Sequence, residues 1–374
     1  MKIVSPKLTA RCQLLLCACV LILSSAAWTP VARAQSQDDL LLFLSLESFD
    51  NTSRSIPGFD NSYLRPTADI LYAYNNGSFR FLGEYIWSSS ESEMERFKLG
   101  WQASEKTMIW FGRFHTTAKY WTTEYHHGQF MQTSISRPGL EEWEDESGPM
   151  PSHITGVSID HEIIQANQSA LSFNFAAGLG PVFEGQELVP FDVLDPGGGH
   201  ELSFNTHVAF RPDALSENQV GVMASWNDIP VISGSSPSLV DIRRIEQATI
   251  GAFADWRWDR WRLLTSWTYF DNDLTYTGSV ANDDFTIGYI QGEYRQSRDW
   301  TIFGRTEIGF GEDNSPFLIL LPAFIAHRHM LGLRWDYADK QSLTMEFADT
   351  STQAQGSDHN NFKELRFQWS AVFP

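Results

Sequence analysis

The chain has 374 residues, of which 46 are acidic and 27 basic, so its formal net charge at pH 7 is −19. This acidity argues against a nucleic-acid partner and gives no sign of a basic patch that would bind a membrane surface. Aromatic residues are abundant, with 14 Trp, 26 Phe and 11 Tyr, yet no apolar run after residue 34 approaches the length of a membrane helix.

The first 34 residues have the pattern of an export signal. Three basic residues precede the apolar run LLLCACVLILSSAA, which is too short to span a bilayer comfortably, and an Ala-Arg-Ala motif ends at Ala34. We therefore expect residues 1–34 to be a signal peptide cleaved near Ala34; a lipoprotein signal ending at Cys19 is the alternative. All three cysteines lie in this segment, so residues 35–374 have none, which excludes thiol catalysis and zinc–thiolate sites there.

Alternation with a period of two residues dominates the rest of the chain. In the last segment, Leu365, Phe367 and Trp369 fall on one face of an extended chain, while charged and polar residues fall on the other. A helix would mix these two sets, whereas a strand separates them. The pattern predicts strands near 39–50, 62–75, 78–89, 94–104, 106–117, 153–166, 169–180, 199–212, 218–229, 244–258, 260–271, 283–296, 299–311, 322–338, 341–350 and 361–373.

The connections between these strands alternate in length. Short ones lie at 75–77, 104–106, 166–169, 259–260, 297–299 and 338–341, and long ones at 51–61, 118–152, 181–198, 230–243, 272–282, 312–321 and 351–360. A soluble β-sandwich has no reason to place a long loop at every second connection. An all-β, transmembrane antiparallel barrel does, because its periplasmic turns are short and its outer loops long, and we expect about 16 strands in residues 35–374.

The chain resembles the Gram-negative general porins of the outer membrane. The resemblance rests on the export signal, the alternating strands, the absence of cysteine after the signal, the aromatic C-terminal segment ELRFQWSAVFP and the long third outer connection. It implies location in the outer membrane, contact with outer-membrane lipid, a homotrimer, and passive diffusion of small hydrophilic solutes without a chemical step or a cofactor. It also implies that the third outer loop, 118–152, folds into the lumen as a constriction loop.

Acidic residues are concentrated in and beside this long connection. On the loop they would attract cations at the narrowest point of a pore, because the low-dielectric wall focuses their field. Basic residues at lumen-side positions would supply the opposite charge, or would only pair with Glu84, Glu307, Glu346 and Glu364 in the interior. The candidate loop residues are Glu124, Glu141, Glu142, Glu144, Asp145 and Glu146, and the candidate wall residues are Arg80, Arg96, Lys98, Arg113, Arg305, Arg328, Arg334 and Arg366.

Histidines near the same loop raise the question of a metal site. His126 and His127 are adjacent, so they could share an ion only in a turn, with His115 or Glu124 completing the set. No motif surrounds a nucleophile, so we expect no enzyme. A cation-preferring porin is therefore the leading function; the alternative is a barrel that binds a ligand, metal or surface partner through its long loop without being an open channel.

Overall fold

The structure is a computed structural model, and the expected signal peptide lies outside the part of the chain that it describes. That part comprises residues 37–52, 62–89, 92–125, 129–144, 146–193, 196–232, 241–313, 315–321, 323–352 and 360–374.

Strands make up most of the described residues. The strands are β1 (Gln37–Asn51), β2 (Ser62–Asn75), β3 (Phe79–Ser88), β4 (Ser92–Ser104), β5 (Thr107–His115), β6 (His153–Ile164), β7 (Ala170–Leu179), β8 (Val182–Glu184), β9 (Glu187–Val189), β10 (Leu202–Arg211), β11 (Gln219–Pro230), β12 (Ile242–Trp258), β13 (Trp261–Tyr276), β14 (Val280–Arg295), β15 (Trp300–Phe310), β16 (Ile325–Ala338), β17 (Gln341–Thr352) and β18 (Asn360–Phe373). One short helix, α1 (Tyr120–Tyr125), and 3-10 turns at Gly139–Glu141 and Leu318–Leu320 interrupt them. In this part of the chain, no helix has the length and apolarity needed to cross a membrane.

Sixteen of the described strands, all except β8 and β9, form one closed antiparallel barrel. The first strand pairs with the last, with Leu42 opposite Phe373, so the sheet has no free edge. This confirms the predicted fold class and strand number, and each predicted strand overlaps one strand of the barrel.

The two faces of the barrel wall differ in polarity, as the alternation predicted. On β17 the apolar side chains of Leu343, Met345 and Phe347 are exposed on the outside, while Thr344 and Glu346 between them are buried. Exposed aromatic side chains recur near the strand ends, as in a membrane–water girdle, including Trp101, Trp258, Trp261, Trp300 and Trp335. The outer face of the wall therefore carries an apolar band, and the polar face lines the lumen.

Two connections differ from the sequence prediction. The long loop expected at 272–282 is a tight turn, because β13 and β14 continue past the apolar band and pair up to Thr275 and Val280. The expected loop 181–198 contains the hairpin of β8 and β9, whose strands of three residues are too short to show a period. Sequence alternation therefore located the membrane-spanning parts better than the outer rim.

An apolar core fills part of the barrel interior. The side chains of Phe270, Phe285 and Ile287 point inward from β13 and β14, and they pack against Phe183 of the β8–β9 hairpin and Leu318 of the second 3-10 turn. All five are at most 2% exposed. This side of the lumen is consequently packed rather than filled with water.

Gly112 adapts β5 to its neighbour. Its φ of +133° is a backbone conformation that favours glycine. A Cβ atom at this position would lie 2.0 Å from the backbone oxygen of Phe97 on β4. The close pairing of β5 with β4 therefore depends on the absence of a side chain at position 112. The longest loop of the barrel begins at the end of β5.

Candidate functional site

The connection between β5 and β6, residues 116–152, is called the β5–β6 loop below. It begins with helix α1, whose Tyr120 and Trp121 are fully buried against inward-facing side chains of the wall, including Phe253 and Tyr289. The Tyr120 hydroxyl donates a hydrogen bond of 2.8 Å to Asp255 on β12. These two aromatic side chains thus attach the loop to the lumen face of the wall.

The tip of the loop is anchored to the far wall. Glu346 on β17 accepts hydrogen bonds from the backbone N–H groups of Ile135 (3.0 Å) and Ser136 (3.2 Å) and from the Ser136 hydroxyl. Arg305 on β15 donates to the backbone oxygens of Ser136 (3.1 Å) and Arg137 (2.8 Å). These contacts place the tip within the barrel.

Further contacts continue along the wall. The N–H of Gly139 donates to Glu307 on β15 at 2.6 Å, and Arg328 on β16 donates to the backbone oxygen of Arg137 at 2.8 Å. Arg334 contacts the backbone oxygen of Gln132. Side chains of the loop also form hydrogen bonds with side chains on β10, β11, β13, β14, β18 and β2. The loop therefore crosses the lumen and follows the wall from β10 round to β18 and β2.

The acidic loop residues occupy different positions. Glu141 and Glu144 are 0% and 3% exposed, so they lie inside the loop. Glu124 accepts from Gln219 at 3.2 Å, and Glu146 forms an ion pair of 3.1 Å with Arg65 on β2. The side chain of Glu146 is 39% exposed, which is the largest value among the described loop carboxylates that form ion pairs. Asp145 lies outside the described residues.

Burial changes the ionisation of this loop. It raises the pKa of Glu142 to about 8, and the nearby Glu146 charge adds to the rise while Arg328 opposes it. Burial likewise raises the pKa of Glu141 to about 7, against the attraction of Lys119. The pKa of Lys119 is lowered to about 8, mainly by burial. At neutral pH the loop is therefore less negative than its sequence suggests.

The basic wall residues divide into three groups. Arg305, Arg328 and Arg334 hold the β5–β6 loop, as described above. Arg96 pairs with Glu84, and Arg366 with Glu47 and Glu364, each within the wall. Arg113 is buried beside Glu93, Lys98 lies over the Trp110 ring, and Arg80 is exposed and donates to Gln102 at 3.3 Å. Much of the basic wall therefore stabilises the loop or its own neighbours.

The histidines are only partly brought together. His126 and His127 lie outside the described residues. His115 lies at the end of β5, next to His153 at the start of β6 and Glu95 on β4. The sequence contained no signal for Glu95, because a register irregularity in the pairing of β3 with β4 brings it to this point.

A recess of the lumen lies beside β3 to β7 and β10. It is lined by Arg80, Gln102, Asp160, Asn174 and His207. A second recess, beneath the loop, is lined by Glu124, Tyr125, Arg211, Arg262 and Arg334. Both recesses carry charges of both signs.

Comparison with known proteins agrees with this architecture. No family model and no curated protein matches the chain. Among solved structures, it is similar to the outer membrane channel DcaP of Acinetobacter baumannii (TM-score 0.59, 10% identity, 91% of this chain and 99% of that chain). It is also similar to OmpF of Salmonella typhi, in complex with daunomycin (0.57, 10%, 92% and 99%) and to OmpT, an outer membrane protein of Vibrio cholerae (0.56, 10%, 93% and 100%). The chain has the fold of the outer-membrane porins.

Proposed function

We propose that this protein is an outer-membrane porin that passes small hydrophilic solutes by passive diffusion, without a chemical step or a cofactor. The observation that carries the proposal is the β5–β6 loop inside a closed barrel, beside a recess lined by polar residues such as Arg80, Asp160 and Asn174. A lipid-facing apolar band around a charged interior is the arrangement by which a barrel carries water across a membrane. In this proposal the loop sets the width of the passage.

We further propose that the pore prefers cations. Glu146 is the ion-paired acidic loop residue with the most exposed side chain. Glu142, whose side chain is 14% exposed and lies 4.0 Å from Arg328, adds its charge as the pH rises through its pKa of about 8. Charges at a narrow, low-dielectric passage act strongly on ions that pass it. Glu141 and Glu144 contribute mainly by supporting the loop, since both are buried.

Planar-bilayer recording tests both parts of the proposal. The purified, folded full chain should give discrete conductance steps, and a KCl gradient should give a reversal potential of the sign for cation preference. Glu146→Gln should reduce that preference. Asp339→Asn is a matched control, because Asp339 is exposed in the short turn between β16 and β17, 3.5 Å from Arg298 and away from both recesses. A folded protein that opens no channel contradicts the porin proposal, and an unchanged reversal potential in Glu146→Gln contradicts the role of the loop.

One observation favours a second candidate, a ligand-binding barrel without an open channel. The β5–β6 loop contacts most of the wall, and an apolar core occupies the lumen beside β13 and β14. A barrel packed in this way binds solutes at its recesses without conducting. Absence of conductance together with saturable solute binding by the folded protein would favour this candidate.

Location and assembly follow from the same proposal. An export signal at 1–34, cleaved near Ala34, would deliver the chain to the outer membrane, where its apolar band contacts lipid. One of the similar structures, OmpT of Vibrio cholerae, was solved in a trimer form. We propose a homotrimer, to be checked by light scattering of the detergent-solubilised protein, and N-terminal sequencing of the mature chain checks the cleavage site.

A further inference from the structure

A buried group of metal-ligating side chains lies at the root of the β5–β6 loop. Glu95, His115 and His153 come from three adjacent strands, and they are 1%, 6% and 4% exposed. Nε2 of His153 is 2.8 Å from Oε2 of Glu95, and Nε2 of His115 is 3.7 Å from the same oxygen. One ligand atom from each residue lies within 4.8 Å of the others. The porin proposal makes no use of this group.

The hydrogen bonds around His153 set its orientation. Its Nδ1 is 2.8 Å from Oε2 of Glu144, and Oε1 of Glu144 accepts the backbone N–H groups of Ser152 and His153. When Nδ1–H donates to Glu144 in the neutral ring, the lone pair of Nε2 points at an oxygen of Glu95. Two acceptors at this distance need a cation between them, which is either a proton or a metal ion.

The same arrangement is typical of metal sites in proteins. A ligating histidine usually donates its second ring N–H to a carboxylate, which fixes the tautomer and the ring orientation. Zn²⁺ lies about 2.0 to 2.2 Å from imidazole nitrogen and carboxylate oxygen, so its ligand atoms are about 3 to 3.5 Å from one another. The 2.8 and 3.7 Å separations lie on either side of that range. Small side-chain movements would therefore close the group around an ion.

We propose that Glu95, His115 and His153 bind one divalent transition-metal ion of the Zn²⁺ class, with Glu144 orienting His153 from outside the coordination sphere. Two imidazoles and a carboxylate form a ligand set that first-row transition metals favour over Mg²⁺ or Ca²⁺. The Trp143 ring is stacked on His153 with centroids 5.6 Å apart and limits access of water to the site. A bound ion would tie both ends of the β5–β6 loop to β4.

The proposal does not depend on whether the barrel conducts. A metal ion that binds the folded chain and not the unfolded one raises the unfolding temperature in proportion to the logarithm of its concentration. This shift can be measured on the folded protein without any conductance. A protein that binds no metal can still be a porin, and a protein that opens no channel can still bind the metal.

The test uses the full chain without a histidine tag, folded in detergent and freed of metal with a chelator. Titration calorimetry with Zn²⁺ alone should give one ion per chain. His115→Gln should weaken binding by about tenfold or more, and Glu144→Gln by about 10- to 100-fold, as for other groups that orient a ligand. His329→Ala is the matched control, because His329 is exposed on the outside of β16 and should leave the affinity unchanged.

X-ray absorption at the zinc edge of the wild-type complex adds a measurement that needs no variant. The proposal expects two imidazole nitrogens and at least one oxygen around the ion. Failure of the folded wild-type protein to bind Zn²⁺ would overturn it, as would equal affinity in folded His115→Gln, or a spectrum without imidazole ligands. If His115→Gln does not fold, the wild-type spectrum decides alone.

Discussion

Replacing Glu346 with alanine should release the tip of the β5–β6 loop from the barrel wall. The two oxygens of this carboxylate accept two backbone N–H groups, from Ile135 at 3.0 Å and Ser136 at 3.2 Å, and the Ser136 hydroxyl. Alanine keeps none of these acceptors. The isosteric change Glu346→Gln keeps one carbonyl oxygen and should give a smaller effect.

The size of the effect follows from the bonds that are lost. Hydrogen bonds to a charged group contribute about 1.5 to 3 kcal/mol each, so the two backbone bonds together give about 3 to 6 kcal/mol. Water that enters the lumen can solvate the freed N–H groups, so we expect the lower end, about 3 kcal/mol. Because about 1.4 kcal/mol corresponds to a factor of ten, the open population of the tip should rise on the order of 100-fold.

Hydrogen exchange followed by mass spectrometry measures this population. In a peptide that covers residues 131–140, the amides of Ile135 and Ser136 should exchange on the order of 100-fold faster in Glu346→Ala than in wild type. Glu162→Ala is the matched control, since Glu162 pairs with Arg211 on the wall and not with the loop. Unchanged exchange at Ile135 and Ser136 would refute the anchoring role of Glu346.

Three other predictions concern the wall and the charge of the loop. Gly112→Ala should lower the free energy of unfolding by on the order of 3 kcal/mol or more. Gly292→Ala is the control, because its added Cβ would meet nothing within 4 Å, and it should not lower this free energy in the same way. Equal midpoints of urea unfolding for the two variants would contradict the prediction. The carboxyl of Glu142, with a pKa raised to about 8, is neutral below that pH and charged above it, so cation preference should rise between pH 6 and 9. Reversal potentials check this, and Glu142→Gln should remove that part of the rise. Trp300→Ala should cost about 1 kcal/mol in urea unfolding in vesicles beyond the loss of apolar area, because the Trp300 ring stacks on Trp335 at 5.3 Å.

The barrel could be predicted from the sequence because its wall obeys one local rule. Residues such as Leu343 and Glu346 lie on opposite faces for reasons of strand geometry alone, so alternation located every strand of the wall and counting gave the position of the longest loop. The β8–β9 hairpin has no such local signature, and it was predicted only as loop.

The interior of the site could not be predicted in the same way. Ile135 and Glu346 are separated by 211 positions, and nothing local indicates that a carboxylate on β17 holds the loop. Composition also gave no warning that Glu141 is fully buried, since charge counts carry no information on exposure. The partners of His115 depend on the register of β3 with β4, which periodicity does not fix.

The pairing of Leu42 with Phe373 has a consequence for how the molecule is made. Because the first and last strands are neighbours, a chain that is still missing its C-terminal segment presents two unpaired strand edges. Such an intermediate can add strands from other chains as readily as its own, so it is prone to aggregate. A product truncated before β18 is therefore an open, aggregation-prone sheet rather than a smaller barrel.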